Sequence, residues 1–294
     1  MSYELLIGDR AYSSWSLRGW LLFERFGIPF KSRLIPFSGD VSVRDQMAAF
    51  PPARTVPTVL IGDGATITDS LAIAEELASR HPEAGIWPSD PTARAIARNL
   101  ACEMHSGFSA LRTACPMSMR VAYQAAPVGE DVKEDLRRIE ALWDHARAAT
   151  KPTGPWLCGD YSAADAFYAP VAARIAGYGL SVSASARAYV DAHLNDPAFR
   201  RWRAMGLVRG EDLPWYAQPH TQTTWPGPTP LSAHAVDAGP SVNEACPYSG
   251  LPVTDFLEID GIVYGFCNPF CRDKTVPDPL AWPAFASLHS QHSG

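Results

Sequence analysis

The chain has 294 residues, a formal net charge of −6 and an apolar fraction of 47%, a size at which a single core gives way to more than one folded unit. The negative balance argues against a nucleic-acid partner held by phosphate neutralisation, which needs a clustered basic surface, and the composition excludes disorder, collagen and coiled coil. Six cysteines in a chain this long are no disulfide framework, and in a reducing compartment they are expected as thiols or metal ligands. The opening "MSYELLIGDR" lacks the basic start, long apolar stretch and small-residue cleavage site of a signal peptide. The most apolar helical stretch, "DAFYAPVAARIAGYGL", is interrupted by Arg174 and is too short for a membrane span. A soluble cytoplasmic protein is predicted, with no membrane partner.

In chain order, "YELLIG" reads as a strand, "SLRGWLLFERFG" repeats at helical spacing and stops at a glycine, and "FKSRLI" alternates, which is a β-α-β start. A polar stretch around "VSVRDQMAAF" follows, then "PPARTVPTVLI", a turn at "GDGA", the strand "TIT" and the helix "DSLAIAEELASR". Strands separated by helices and closed by a hairpin predict a mixed sheet covered by helices, residues 1–82, ending at the proline-punctuated "HPEAGIWPSDP". Residues 83–210 show amphipathic helices and no strand signal. Residues 211–243, rich in Pro, Thr, Gly and Ala without period, have the composition of an extended linker. Residues 244–294 form a separate segment holding three of the six cysteines.

Chemistry concentrates first in "AYSSWSLRGW", residues 11–20. If Ser16 or Leu17 begins a helix, Ser13 and Ser14 sit just before it, close to free amides that carry partial positive charge. An anion suits that position, but so does plain N-capping by a serine. Asp69 and Ser70 stand at the start of the next helix, where unpaired amides suit a carboxylate and Asp69 can accept from an ammonium group. A helix cap is the alternative there too.

These motifs, in this order and spacing, resemble the glutathione S-transferases over roughly residues 3–206. "SSWSLR" is similar to the serine motif of the zeta and theta classes: Ser13, Ser14, Ser16 and Arg18 match, while Trp15 stands where the zeta motif has cysteine, so chemistry dependent on that cysteine is not implied. The resemblance implies a thioredoxin-like α/β glutathione-binding domain followed by an all-α domain, in a homodimer. It makes Val56 and a cis Pro57 the contact for the cysteinyl part of glutathione, and Asp69 and Ser70 the holders of its γ-glutamyl end. "GDYSAADAFYAP" is similar to the family's capping box, with Ser162 as N-cap and Asp165 as the third helical residue. The implied activity is conjugation or isomerisation of a small electrophile by glutathione, the cosubstrate, whose thiol has a free pKa near ~8.5 and is ionised by a serine hydroxyl at a helix N-terminus. Ser14 is the first choice of donor, Ser13 the second and Tyr12 an outsider. The electrophile is expected against a helix face offering Cys102, His105, Phe108, Leu111 and Arg112, most of them packing residues. The alternative is a transferase fold kept as a non-catalytic glutathione- and metal-binding scaffold or sensor.

In the tail, Cys246, Cys267 and Cys271 are spaced C-x20-C-x3-C around "DFLEIDGIVYGF", which reads as two strands joined at Asp260-Gly261. Residues 244–285 resemble the TRASH and YHS group of small metal-binding modules, implying a cysteine-containing β-hairpin that holds zinc or another thiophilic ion. Ser249 falls where many relatives have a further cysteine, leaving Asp273, a tail histidine such as His289, water or glutathione as fourth ligand. Buried free thiols around Phe256, Phe266 and Phe270 are the other reading. Cys102, Cys115 and Cys158 show no ligand spacing and are expected in packing.

Overall fold

The protein's fold is described by a computed structural model covering residues 2–293. The chain packs as two compact units: residues up to Leu194 together with Gly210–Pro226, and Asn195–Arg209 together with the residues from Gly227 on.

The first unit begins with β1 (Tyr3–Ile7), α1 (Ser14–Glu24), β2 (Lys31–Leu34), α2 (Val43–Met47), β3 (Thr58–Ile61), β4 (Thr66–Ile67) and α3 (Ser70–Arg80). The sheet order is β2-β1-β3-β4, with β1 parallel to β2 and antiparallel to β3. The register pairs Leu5 with Ser32 and with Val59. Leu5, Leu6 and Ile7 are all buried, as a central strand covered on both faces requires. The polar stretch around Val43, which carried no element assignment, forms α2 because Ser42 caps it through the amide of Asp45.

The helical part comprises α4 (Pro91–Ser106), α5 (Ser109–Ala114), α6 (Glu130–Thr150), α7 (Ala163–Gly177) and α8 (Ala184–Asn195). One helix face was expected to carry Cys102 through Arg112. It is instead broken at Gly107, and Phe108, at φ 58°, starts the shorter α5. A two-residue strand, β5 (Ala122–Tyr123), also interrupts the helices.

Every residue of α7 is buried, and the helix packs against α1 and α4. Its start is fixed by the predicted capping box. The amide of Ser162 donates to Asp165 Oδ2 at 2.9 Å, while Asp165 Oδ1 accepts from the Leu157 amide at 3.2 Å and the Tyr189 hydroxyl at 2.8 Å. Burial pushes the Asp165 carboxyl above its usual range, against the pull of these donors.

The second unit holds α9 (Pro197–Val208), β7 (His234–Val236), β8 (Asp255–Ile259), β9 (Ile262–Phe266), α10 (Pro269–Asp273) and α11 (Pro283–His292). β8 and β9 form the predicted hairpin, turning at Asp260 and Gly261 with φ of 49° and 81°, the pair of positive φ values a two-residue hairpin turn demands. The stretch read as a linker, residues 211–243, is in part packed structure. Leu213 is buried, β6 (Gln222–Thr223) pairs with β5, and β7 adds a third strand to the hairpin. Among the described residues no helix is long and apolar enough to cross a membrane.

Asp165→Ala removes a cap and leaves the Tyr189 hydroxyl and the Leu157 amide buried without an acceptor. The expected loss is about 3 kcal/mol, read as a lowered unfolding midpoint in urea, whereas substitution of the exposed Asp212 leaves the midpoint unchanged.

Candidate functional site

The first turn of α1 meets the C-terminal half of α7 within the first unit. Ser13 is the N-cap: its Oγ accepts from the Ser16 amide at 3.2 Å and donates to Ser16 Oγ at 2.7 Å, and Ser16 Oγ in turn accepts from the Gly8 amide at 2.9 Å. The Ser13 hydroxyl is therefore committed to holding the loop before the helix. Ser14 is the first helical residue and is half-buried; its Oγ accepts from Arg174 Nη2 at 3.5 Å, and among the described residues its own proton has no acceptor. Tyr12 is turned elsewhere, with its hydroxyl accepting from the Leu213 amide and its ring 4.5 Å from that of Tyr216.

Positive charge gathers at this point. Arg174 is buried, donating to the carbonyls of Cys115 and Pro170 as well as to Ser14. Arg18 is only 1% exposed, its Nε and Nη1 without hydrogen-bond partners among the described residues. Its guanidinium carbon lies 4.6 Å from the Trp15 ring and 5.1 Å from that of Phe167, while Arg112 covers Trp15 at 4.9 Å. Cation–π contact offsets part of the lost hydration. Among the described residues no carboxylate lies within ion-pair distance of Arg18, Arg112 or Arg174. Burial, then mutual repulsion, lowers Arg18 to about 9 and Arg174 to about 10, so both stay cationic at neutral pH. The arrangement fits an anion.

The other predicted residues lie around the same helix. The Val56–Pro57 bond is cis, as expected, and α1 receives the loop at Gly19, where a Cβ would stand 2.8 Å from Pro57 Cβ. The backbone amide and carbonyl of Val56 make no hydrogen bond within the described residues. Asp69 is a true N-cap, its Oδ1 accepting from the amides of Leu71 and Ala72 at 2.8 and 3.1 Å. Its Oδ2 faces His105 Nε2 at 3.3 Å, and the His105 ring meets Trp15 edge-on. The buried Ser70 Oγ has no hydrogen-bond partner among the described residues. Cys102 is exposed and takes no part, contrary to its expected packing role, while Cys115 and Cys158 are buried, as expected.

A cavity of about 740 Å³ lies at the β2 side of the sheet, lined by Tyr3, Phe30 and Leu60, and includes none of the predicted site residues. A smaller one, about 200 Å³, opens beside Tyr12, Arg120 and Tyr216.

In the second unit, the sulfurs of Cys246, Cys267 and Cys271 lie within 4.8 Å of one another. Cys267 Sγ accepts from Ser249 Oγ at 3.1 Å and Asn268 Nδ2 at 3.2 Å. Burial raises the Cys246 thiol, but the amides of Tyr248, Cys267 and Ser249 and the Ser249 hydroxyl outweigh it, bringing Cys246 below its usual value. Two of the fourth ligands considered from the sequence are engaged elsewhere: Asp273 Oδ1 accepts from Arg272, and His289 Nδ1 is 2.8 Å from the Tyr264 hydroxyl.

Residues 12–80 match the family model of the glutathione S-transferase N-terminal domain. A glutathione transferase homologue from Burkholderia, solved with bound glutathione, superposes at TM-score 0.54 and 21% identity over 70% of this chain and 98% of that one. The chain has the glutathione transferase fold. A probable maleylacetoacetate isomerase of Caenorhabditis elegans is 27% identical over 51% of this chain and 68% of its own length. The maleylacetoacetate isomerase of Dictyostelium discoideum is 29% identical over 42% of this chain and 55% of its length.

Sequence reading missed Arg174 as a site residue, taking it only as a break in an apolar stretch. A single cation inside the most apolar helical stretch of the chain was the signal available, since such a charge needs a partner once buried.

Ser13→Ala is expected to lower stability by about 1 kcal/mol through loss of the cap, and Ser14→Ala to stay within about 0.5 kcal/mol of wild type, as measured by chemical unfolding of the full chain.

Proposed function

We propose that the protein is a glutathione-dependent transferase or isomerase that ionises the glutathione thiol with the hydroxyl of Ser14 and acts on a small electrophile bearing a carboxylate. The observation that carries this reading is the Arg174–Ser14 contact: an oxygen that accepts from a buried guanidinium leaves its proton to donate to sulfur, whereas the Ser13 proton is already given to Ser16. The fold, the match over residues 12–80 and the glutathione bound to the Burkholderia homologue support glutathione as cosubstrate.

In this reading Val56 pairs through its backbone with the cysteinyl part, beside Pro57, and Asp69 and Ser70 hold the γ-glutamyl end. The buried unpartnered Ser70 hydroxyl and the α3 N-terminus suit its carboxylate, and Asp69 Oδ2 suits its ammonium. The thiolate adds to an activated double bond, forming a C–S bond while the π pair moves to the conjugated carbonyl as an enolate. Protonation of the enolate carbon completes a conjugation; rotation and expulsion of the thiolate complete an isomerisation. Arg18, Arg112 and Arg174, which have no carboxylate partner among the described residues, favour an electrophile with carboxylate charge, and the curated relatives' named substrate, maleylacetoacetate, is a dicarboxylic acid.

The reading extends to a cytoplasmic homodimer, as the resemblance implies, and to a second unit that holds one thiophilic metal ion through Cys246, Cys267 and Cys271.

Steady-state kinetics with a dicarboxylate enone and its dimethyl ester test the proposal. The diacid is expected to have the higher kcat/KM by about tenfold or more, the scale of one charge-assisted hydrogen bond. Ser14→Ala lowers kcat by about 10- to 10³-fold, while Ser13→Ala leaves most of it. Preference for the ester, or a fully active Ser14→Ala, contradicts the reading.

A further inference from the structure

Trp15 is the residue of the serine motif that the proposed reaction leaves without a role, and three helices meet on its ring. It is half-buried in the first turn of α1, one place after Ser14. Side chains three apart on a helix are neighbours, and the later one leans back over the earlier. The Arg18 guanidinium accordingly lies 4.6 Å from the centre of the Trp15 ring. Arg112 reaches the same ring from α5, at 4.9 Å. The helix break places it there: α4 stops at Gly107, where a Cβ would stand 2.8 Å from the Glu103 carbonyl oxygen, and α5 sets off from Phe108. His105, in the last turn of α4, meets the ring at 5.1 Å and nearly perpendicular, at 88°.

Two guanidinium groups beside one ring repel each other, and among the described residues no carboxylate pairs with either. The indole answers with the negative charge of its faces. How it does so decides what the cations can still bind. A carboxylate partner would neutralise a guanidinium and occupy its N–H fork, whereas an aromatic face attracts the cation and leaves the fork open. Both arginines are in that state. Arg18 Nε and Nη1 have no hydrogen-bond partner among the described residues, and Arg112 gives Nη1 to the Gly107 carbonyl at 3.3 Å. A cysteine here, as in the zeta motif, has no aromatic face to offer either cation.

We infer that Trp15 is a positioning residue that sets selectivity for the electrophile: its ring holds Arg18 and Arg112 with their hydrogen-bonding edges open, ready for a carboxylate of the substrate. This rests on the reading that the electrophile carries a carboxylate, and the test keeps the two apart. Full-length wild type, Trp15→Phe and Trp15→Leu are compared with glutathione on the dicarboxylate enone and its dimethyl ester. Trp15→Met, flexible enough to fill the space, replaces Trp15→Leu if that variant does not fold. The readout is the ratio of kcat/KM for the diacid to kcat/KM for the ester.

Removing the ring is expected to lower this ratio by about fivefold or more, the size of one cation–π contact. The loss appears as a raised KM for the diacid more than a lowered kcat, because the carboxylate is held alike in the ground and transition states. Trp15→Phe, which keeps an aromatic face, retains most of the ratio. An unchanged ratio in Trp15→Leu, whether or not both activities fall, makes Trp15 a packing residue and overturns the inference while leaving the carboxylate reading. A ratio as low in Trp15→Phe as in Trp15→Leu also overturns it, because the ring then acts through its volume and not through the cations. A wild type that does not prefer the diacid overturns the carboxylate reading itself, and the inference falls with it.

Discussion

The first unit depends on the packing of α1 against α7, because that contact takes guanidinium groups out of water at the point where a helix N-terminus also ends. Arg18 comes from one helix and Arg174 from the other, both buried, and Arg112 approaches from α5. Cations confined this way are costly unless a counter-charge meets them, yet Asp69, an acid whose charge reaches Arg18, is turned to the α3 amides and to His105. The aromatic faces of Trp15 and Phe167 answer only part of the charge. The rest of the unit positions this cluster: the capping box fixes where α7 begins, Gly19 lets the Pro57 loop close on α1, and Ser13 and Ser16 tie the preceding loop to Gly8.

Much of this was legible in sequence because it is local. Period, caps and turns are written within a few residues, so β1, α1, β3, α3 and the Asp260-Gly261 hairpin could be read directly, and the Asp165 box through the family resemblance. The break at Phe108 escaped because Gly107 lies inside an otherwise sustained helical pattern, where an isolated glycine is tolerated. Leu213 and β6 escaped because a Pro/Thr composition describes a stretch with no period, and their packing depends on residues far along the chain, such as Tyr12 and Tyr123.

Site residues divide the same way. The serines, Pro57 and Asp69 are marked by motif and position. The choice between Ser13 and Ser14 rests on which hydroxyl proton is already used, and that is set by Ser16 and by Arg174, the latter 160 positions away. In the second unit, C-x20-C-x3-C spacing brought the thiols together on paper, but the commitment of Asp273 to Arg272 and of His289 to Tyr264 is a matter of packing that spacing does not encode.

Ionisation of bound glutathione is the event on which the account turns. A thiol beside a helix N-terminus, a buried guanidinium and a donating hydroxyl favours its charged form, so its pKa falls and thiolate persists to lower pH. Titrating the thiolate absorbance of the glutathione complex against pH measures this directly, in wild type and in Ser14→Ala. The account predicts a bound pKa at least about one unit below the free value of ~8.5 in the wild type, with most of that shift lost in Ser14→Ala. A wild-type complex that titrates like free glutathione, or a shift unchanged by Ser14→Ala, would contradict it.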